Sequence, residues 1–182
     1  MNYYETIKNK IIDNEVYDRV KNYSKEKHKV ETYFTIGRLL YELYAKYGDI
    51  IIDRYSERLM EQVNSKYNKK LLLKMKRFYE IFKIDELLSF KTQLSWGHYK
   101  LLIKLDDLEK IYYYTNIAIN FNLTVSDLSK LIKSNEYDEL DEETRQKLIN
   151  YEKLKIDADG EMFAEYSYGF NKILDDILKS DI

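Results

Sequence analysis

Six cations fall in one short stretch of this chain: Lys66, Lys69, Lys70, Lys74, Lys76 and Arg77. From Tyr67 to Tyr79 the sequence reads as a helix, because Leu71, Met75, Phe78 and Phe82 recur at helical spacing and would turn toward a core. Lys70, Lys74 and Arg77 then form a second stripe, which either water or phosphate must cover. A cationic stripe on an amphipathic helix is suited to neutralising the phosphates of double-stranded DNA. Lysine is abundant throughout the chain, however, so charge alone fits a solvated face equally well.

Other chemistry is thin. The chain has no cysteine, which removes thiolate metal sites, disulfides and cysteine nucleophiles, and it has only two histidines. His28 reads as a solvated side chain and His98 as part of a helix start. Neither stands in a metal-ligand or nucleophile–base pattern, and no glycine-rich phosphate loop occurs. The expectation is a protein without catalytic residues, metal or cofactor. Only carboxylates brought together by folding would change it.

Charge is distributed unevenly. Residues 1–65 carry 11 basic and 11 acidic side chains, residues 66–104 carry 10 and 3, and residues 105–182 carry 9 and 18. One segment can therefore attract a polyanion, while another fits a basic partner groove. The densest acidic run supplies the candidate protein-partner surface: Glu136, Asp138, Glu139, Asp141, Glu142 and Glu143. The alternative is that both poles are solvated surface.

The elements that must position these groups are helical. With no proline, five glycines and 34% charged residues, the chain lacks hairpin signals and favours helices joined by short polar turns. The expected fold class is all-α, a helical bundle containing a helix-turn-helix-like unit. The start has no basic region followed by an apolar run, and no stretch approaches the roughly 20 apolar residues that span a bilayer. A cytoplasmic location without membrane contact is expected.

Tyr4, Ile7, Ile11, Val16 and Val20 mark a first amphipathic helix; Val30, Tyr33, Phe34, Gly37, Leu40, Tyr41 and Tyr44 mark a second, which Gly48 ends. Gly37 lies inside that helix, where it would permit close helix approach. Ile52, Tyr55, Leu59 and Val63 form a third helix, followed by the turn 64–67 and by Asn68 as N-cap of the basic helix. Helix, tight turn, basic helix is the helix-turn-helix order, and pairing is common among such units, so a homodimer fits. After a looser segment 83–92, Ser95 is a cap flanked by a Leu94–Tyr99 staple, with Trp96 as a core anchor. Asp106 with Glu109 and Thr124 with Asp127 are cap pairs for two further helices. A helix through Leu148 and Leu154, a break at Gly160 and a last helix from Phe163 to Ile177 complete the reading.

Five segments, in order, resemble motifs of the N-terminal domain of bacterial YhcG-type proteins: Ile36 to Glu42, Tyr47-Gly48, Met75 to Tyr79, Leu94 to Tyr99, and Leu123 to Leu128. The resemblance covers roughly residues 20–140 and divides the chain into a helical domain, 1–140, and a helical extension, 141–182. The chain departs from the pattern at the turn Lys66-Tyr67-Asn68, at Leu123-Thr124 where Trp-Ser is usual, and at Ser126 or Asp127 where an arginine is usual. The resemblance implies DNA binding or partner assembly, in a domain that usually precedes a PDDEXK nuclease. That nuclease needs a Glu-x-Lys on a strand, and no glutamate here is followed two positions later by lysine. The implied function is a non-catalytic DNA- and protein-binding module, an inhibitor of a DNA-targeting nuclease of the anti-CRISPR type, such as one acting on Cas9, carried by a phage or other mobile element. The alternative is an accessory DNA-recognition subunit that recruits a separate nuclease or restriction complex.

Overall fold

The computed structural model describes residues 2–19, 25–88 and 91–150, and every regular element among them is a helix. In chain order these are α1 (Tyr3–Arg19), α2 (Lys25–Tyr47), α3 (Asp49–Gln62), α4 (Lys69–Phe82), α5 (Asp85–Leu88), α6 (Trp96–Leu102), α7 (Leu108–Asn120), α8 (Val125–Ser134), α9 (Glu136–Glu139) and α10 (Glu142–Ile149). The fold is all-α. The chain divides into two compact units, Met1–Lys104 and Leu105–Ile182, a division that falls inside the segment 1–140 set apart by sequence.

The first unit is organised on α2 and α4. Its core joins Val30, Tyr33, Ile36, Leu39, Leu40 and Leu43 of α2 to Leu72, Met75, Phe78, Ile81 and Phe82 of α4. α1 lies on α2 and buries Tyr4, Ile7 and Ile11, while α3 contacts both α2 and α4 and buries Ile52 and Leu59. Gly37 lets the two central helices approach closely: a Cβ built there would stand 2.1 Å from the Met75 carbonyl oxygen.

Aromatic contacts fix α6 beside α4. Phe78 has Trp96 at 5.6 Å and Tyr99 at 4.5 Å between ring centroids, and Trp96 also meets Tyr33 edge-on at 5.0 Å. Such pairs are worth about 0.5–1.5 kcal/mol each beyond their burial. The Tyr99 hydroxyl accepts from the Leu94 N–H at 3.2 Å, closing the start of α6.

The helix ends follow the sequence signals in part. Gly48 has φ +68°, a left-handed conformation, and its N–H donates to the Tyr44 carbonyl as α2 stops. Asn68 caps α4 by accepting from the Leu71 N–H, and Thr124 caps α8 by accepting from the Asp127 N–H. The cap of α7 is Asp107, not Asp106, because its carboxylate accepts from Glu109 and Lys110 N–H groups. Ser95 holds the cap position of α6, but its hydroxyl pairs with His98 Nδ1 at 2.8 Å.

Other expectations change. Val16 is 57% exposed while Asn14 is fully buried, since Asn14 lies on the inward stripe of α1 with Ile7 and Ile11. In α4 the fully buried leucine is Leu72, and Leu71 is half-buried. Val63 falls at the C-cap of α3 and Val125 is exposed. His28 is half-buried on α2 rather than solvated. Val20, Leu154, Gly160 and the predicted helix from Phe163 to Ile177 lie outside the described residues.

In the second unit α7 packs against α8 and α10, burying Ile111, Tyr113, Tyr114, Ile117 and Ala118 with Leu128, Leu131 and Leu148. Asn135, at φ +59°, ends α8 and turns the chain into α9.

Candidate nucleic-acid interface

Local ion pairs sort the six predicted cations. Lys66 is paired with Glu15 at 2.6 Å and stands 3.6 Å from Asp18, both on α1. Lys69 is held by Asp53 of α3 at 2.9 Å. Lys76 lies over the Tyr44 ring at 4.2 Å and near Glu80 at 3.8 Å. These three serve the packing of α4 on its neighbours. Lys70, Lys74 and Arg77 lie on the other flank of α4, because 70, 74 and 77 follow the helical repeat away from Met75 and Phe78. Arg77 has one partly exposed neighbour, Glu80 at 3.8 Å, a contact of little energy. Lys70 and Lys74 have no carboxylate within 4 Å among the described residues.

These three cations do not stand alone. They line an open groove of about 270 Å³ together with Leu73, Ile103 and Lys104. Lys74 is half-buried, and burial pushes its ammonium below the usual lysine range, with Lys70, Lys100 and Lys104 adding repulsion. Lys100 and Lys104 are exposed and belong to α6 and the turn after it, so the aromatic clamp of Trp96 and Tyr99 on Phe78 is what brings them to α4. Neither is among the six cations of the 66–77 stretch. The signal that held them was the positive charge of residues 66–104, which includes them, and only the packing of α6 on α4 assigns them to one site.

The turn before α4 is anchored from below. Tyr67 is fully buried and its hydroxyl donates to Glu15, while burial and the neighbouring Glu15 raise its phenol well above the ordinary range. Tyr33, hydrogen-bonded to Tyr67, is pushed up to about 12 by burial. The shortened turn Lys66-Tyr67-Asn68 is thus pinned to α1 and α2 by its middle residue, and it fixes where α4 begins. α4 carries lysines at both of its first two positions and no acid in its first turn, the reverse of what the helix dipole favours.

The predicted acidic surface is less uniform than its sequence. Glu136 is only 3% exposed: it faces inward and accepts from the Tyr113 hydroxyl at 2.5 Å, so it is not a surface group. α9 is a single turn, and of its residues Glu136 and Tyr137 go inward. Asp138 is tied to Lys110 at 2.6 Å, Glu142 to Arg145 at 3.5 Å and Glu143 to Lys147 at 2.6 Å. Asp141 caps α10 by accepting from the Thr144 N–H, and those hydrogen bonds hold its carboxyl below the usual range. Glu139 is exposed. Among the described residues, no group of three or more histidines and carboxylates is placed to hold a metal ion, and no helix is long and apolar enough to cross a membrane.

No curated protein and no solved structure matches the chain. A family model described as the DUF1016 N-terminal domain matches residues 8–139, a span that includes all five of the ordered motifs and both walls of the basic groove. This agrees with the YhcG-type N-terminal domain that those motifs resemble. The chain belongs to the DUF1016 N-terminal domain family.

Proposed function

We propose that this protein is a non-catalytic nucleic-acid-binding module that meets double-stranded DNA with the outer flank of α4. The observation that carries this reading is the division of cations on α4. Lys69 is held by Asp53 at 2.9 Å and Lys76 lies over the Tyr44 ring, whereas Lys70 and Lys74 have no carboxylate within 4 Å among the described residues, Arg77 has only the 3.8 Å contact with Glu80 that Lys76 also makes, and Lys74 is repelled by Lys70, Lys100 and Lys104. Like charges gathered on an apolar floor repel one another, and a bound polyanion relieves that repulsion. Fluorescence anisotropy with a labelled duplex, read across a salt series, tests it. Log affinity should fall linearly with log salt, and Lys70→Ala, Lys74→Ala and Arg77→Ala together should abolish the signal. Absent or salt-independent binding removes DNA from the account.

The finer reading is an inhibitor of a DNA-targeting nuclease of the anti-CRISPR type, which takes hold of Cas9 or a similar effector. The exposed carboxylate of Glu139 supports it, beside Glu142 and Glu143 that are exposed but paired with Arg145 and Lys147, since a basic nucleic-acid groove attracts an acidic surface by charge complementarity. Adding the protein to Cas9 and guide should then suppress cleavage. Unchanged cleavage alongside intact DNA binding would favour the accessory subunit that recruits a separate nuclease.

A further inference from the structure

We infer that the groove between α4 and the C-terminal end of α6 is a two-walled cradle for the phosphodiester backbone, in which Lys104 on the second wall, with Lys100 four residues before it, contacts phosphate as Lys70 and Lys74 do on the first, and which takes duplexes regardless of sequence. The inference rests on the DNA-binding reading of α4 and adds the second wall and the mode of recognition.

Three features carry it. Lys70, Lys74 and Arg77 on one side and Lys104 on the other border the same groove of about 270 Å³, and Lys100 adds its charge to the field at Lys74. The floor between them is Leu73 and Ile103, which offer no carboxylate to neutralise the rim, so the cations are left for an anion from outside. The rim is built of lysines with one arginine. A lysine ammonium is a mobile point charge suited to phosphate, whereas reading a base edge calls for planar forks of the Arg, Asn or Gln kind. Phosphate contacts position a protein on DNA and carry no sequence information by themselves.

The test is the salt slope of duplex binding in wild type and in Lys100→Ala with Lys104→Ala. Five phosphate contacts give a slope of about −4 to −5 in log affinity against log salt, and removing two lowers its magnitude by about two. Both side chains are exposed, so the variant should keep its helical circular dichroism, and Lys100→Arg with Lys104→Arg should restore the slope. Two unrelated duplexes of equal length should bind within a few-fold of each other, and polyglutamate of matched charge should compete poorly. If the alanine pair leaves the slope unchanged while the Lys70, Lys74 and Arg77 variant loses binding, the cradle is wrong and the α4 reading stands. If wild type shows no salt-dependent binding, both fall. A tenfold preference between the duplexes, or equal competition by polyglutamate, overturns the backbone cradle while leaving α4 as the contact.

Discussion

Gly37 of α2 faces the Met75 carbonyl of α4 with no room for a side chain: a Cβ there would lie 2.1 Å from the oxygen and 3.0 Å from Tyr79 Cβ. Because Met75 is the inward residue at the middle of the basic helix, this one contact sets how deeply α4 sits on α2. The flank bearing Lys70, Lys74 and Arg77 is held outward by the same packing.

Gly37→Ala should therefore force α2 and α4 apart. The helix gains from alanine, about 1 kcal/mol, but overpacking against backbone costs typically 1–3 kcal/mol or more, and a 2.1 Å approach belongs at the upper end. Thermal melting should show a net loss of about 2 kcal/mol or failure to fold. A melting temperature at or above wild type would mean that the helices slide apart without cost.

Much of this first unit was legible because its signals are local. Gly37 as a contact glycine, Gly48 as a stop, Asn68 as a cap and Trp96 as an anchor each depend on neighbours within a turn or on one apolar stripe, as does the Thr124 cap in the second unit. What was not legible depends on which elements meet. Lys66 and Lys69 look like Lys70 and Lys74 in sequence, and only the nearness of Glu15 and Asp53 separates them. Lys104 joins the groove, and Lys100 comes near Lys74, because α6 docks on Phe78. Glu136 reads as surface by composition, yet Tyr113 on α7 draws it inward. The exchange of Val16 for Asn14 is a failure of hydrophobicity as a guide where a polar residue holds the inward position.

Asn68→Ala should loosen the first turn of the basic helix. Its side-chain oxygen accepts from the Leu71 N–H at 3.1 Å, and losing such a cap costs about 1 kcal/mol. In a unit of about 100 residues that is roughly 4–8 °C in melting temperature. Asn68→Asp keeps the acceptor and favours the helix dipole, so it should restore stability in the same measurement.

Glu136 should leave a signature in pH. Burial raises its carboxyl above the ordinary value of 4.5, with Glu139 adding to the rise and the Tyr113 hydrogen bond opposing it, while its second oxygen has no partner among the described residues. The folded state thus holds this proton more tightly than the unfolded chain. Its contribution is full below about pH 4.5 and is lost as pH rises through the raised value. Relative to wild type, Glu136→Gln should gain melting temperature as pH climbs through that window. A difference that stays flat from acid to neutral pH would refute the assignment.

Lys74 should trade stability against binding. Its ammonium is disfavoured by burial first and then by Lys70, Lys100 and Lys104, so the unfolded chain holds that proton more tightly and stability should rise with pH as the lysine range is approached from below. Lys74→Gln removes the charge and keeps a polar side chain one atom shorter. Relieving one like-charge pair of the i, i+4 kind, Lys70 with Lys74, is worth about 0.2–0.5 kcal/mol, or roughly 1–3 °C in a unit of this size. The same substitution should weaken duplex binding and reduce the salt slope by about one. A protein selected only for stability would gain by losing this charge, so a variant that melts higher and binds DNA less marks Lys74 as kept for an anion. A variant that melts lower, with binding unchanged, would return α4 to the role of a solvated helix.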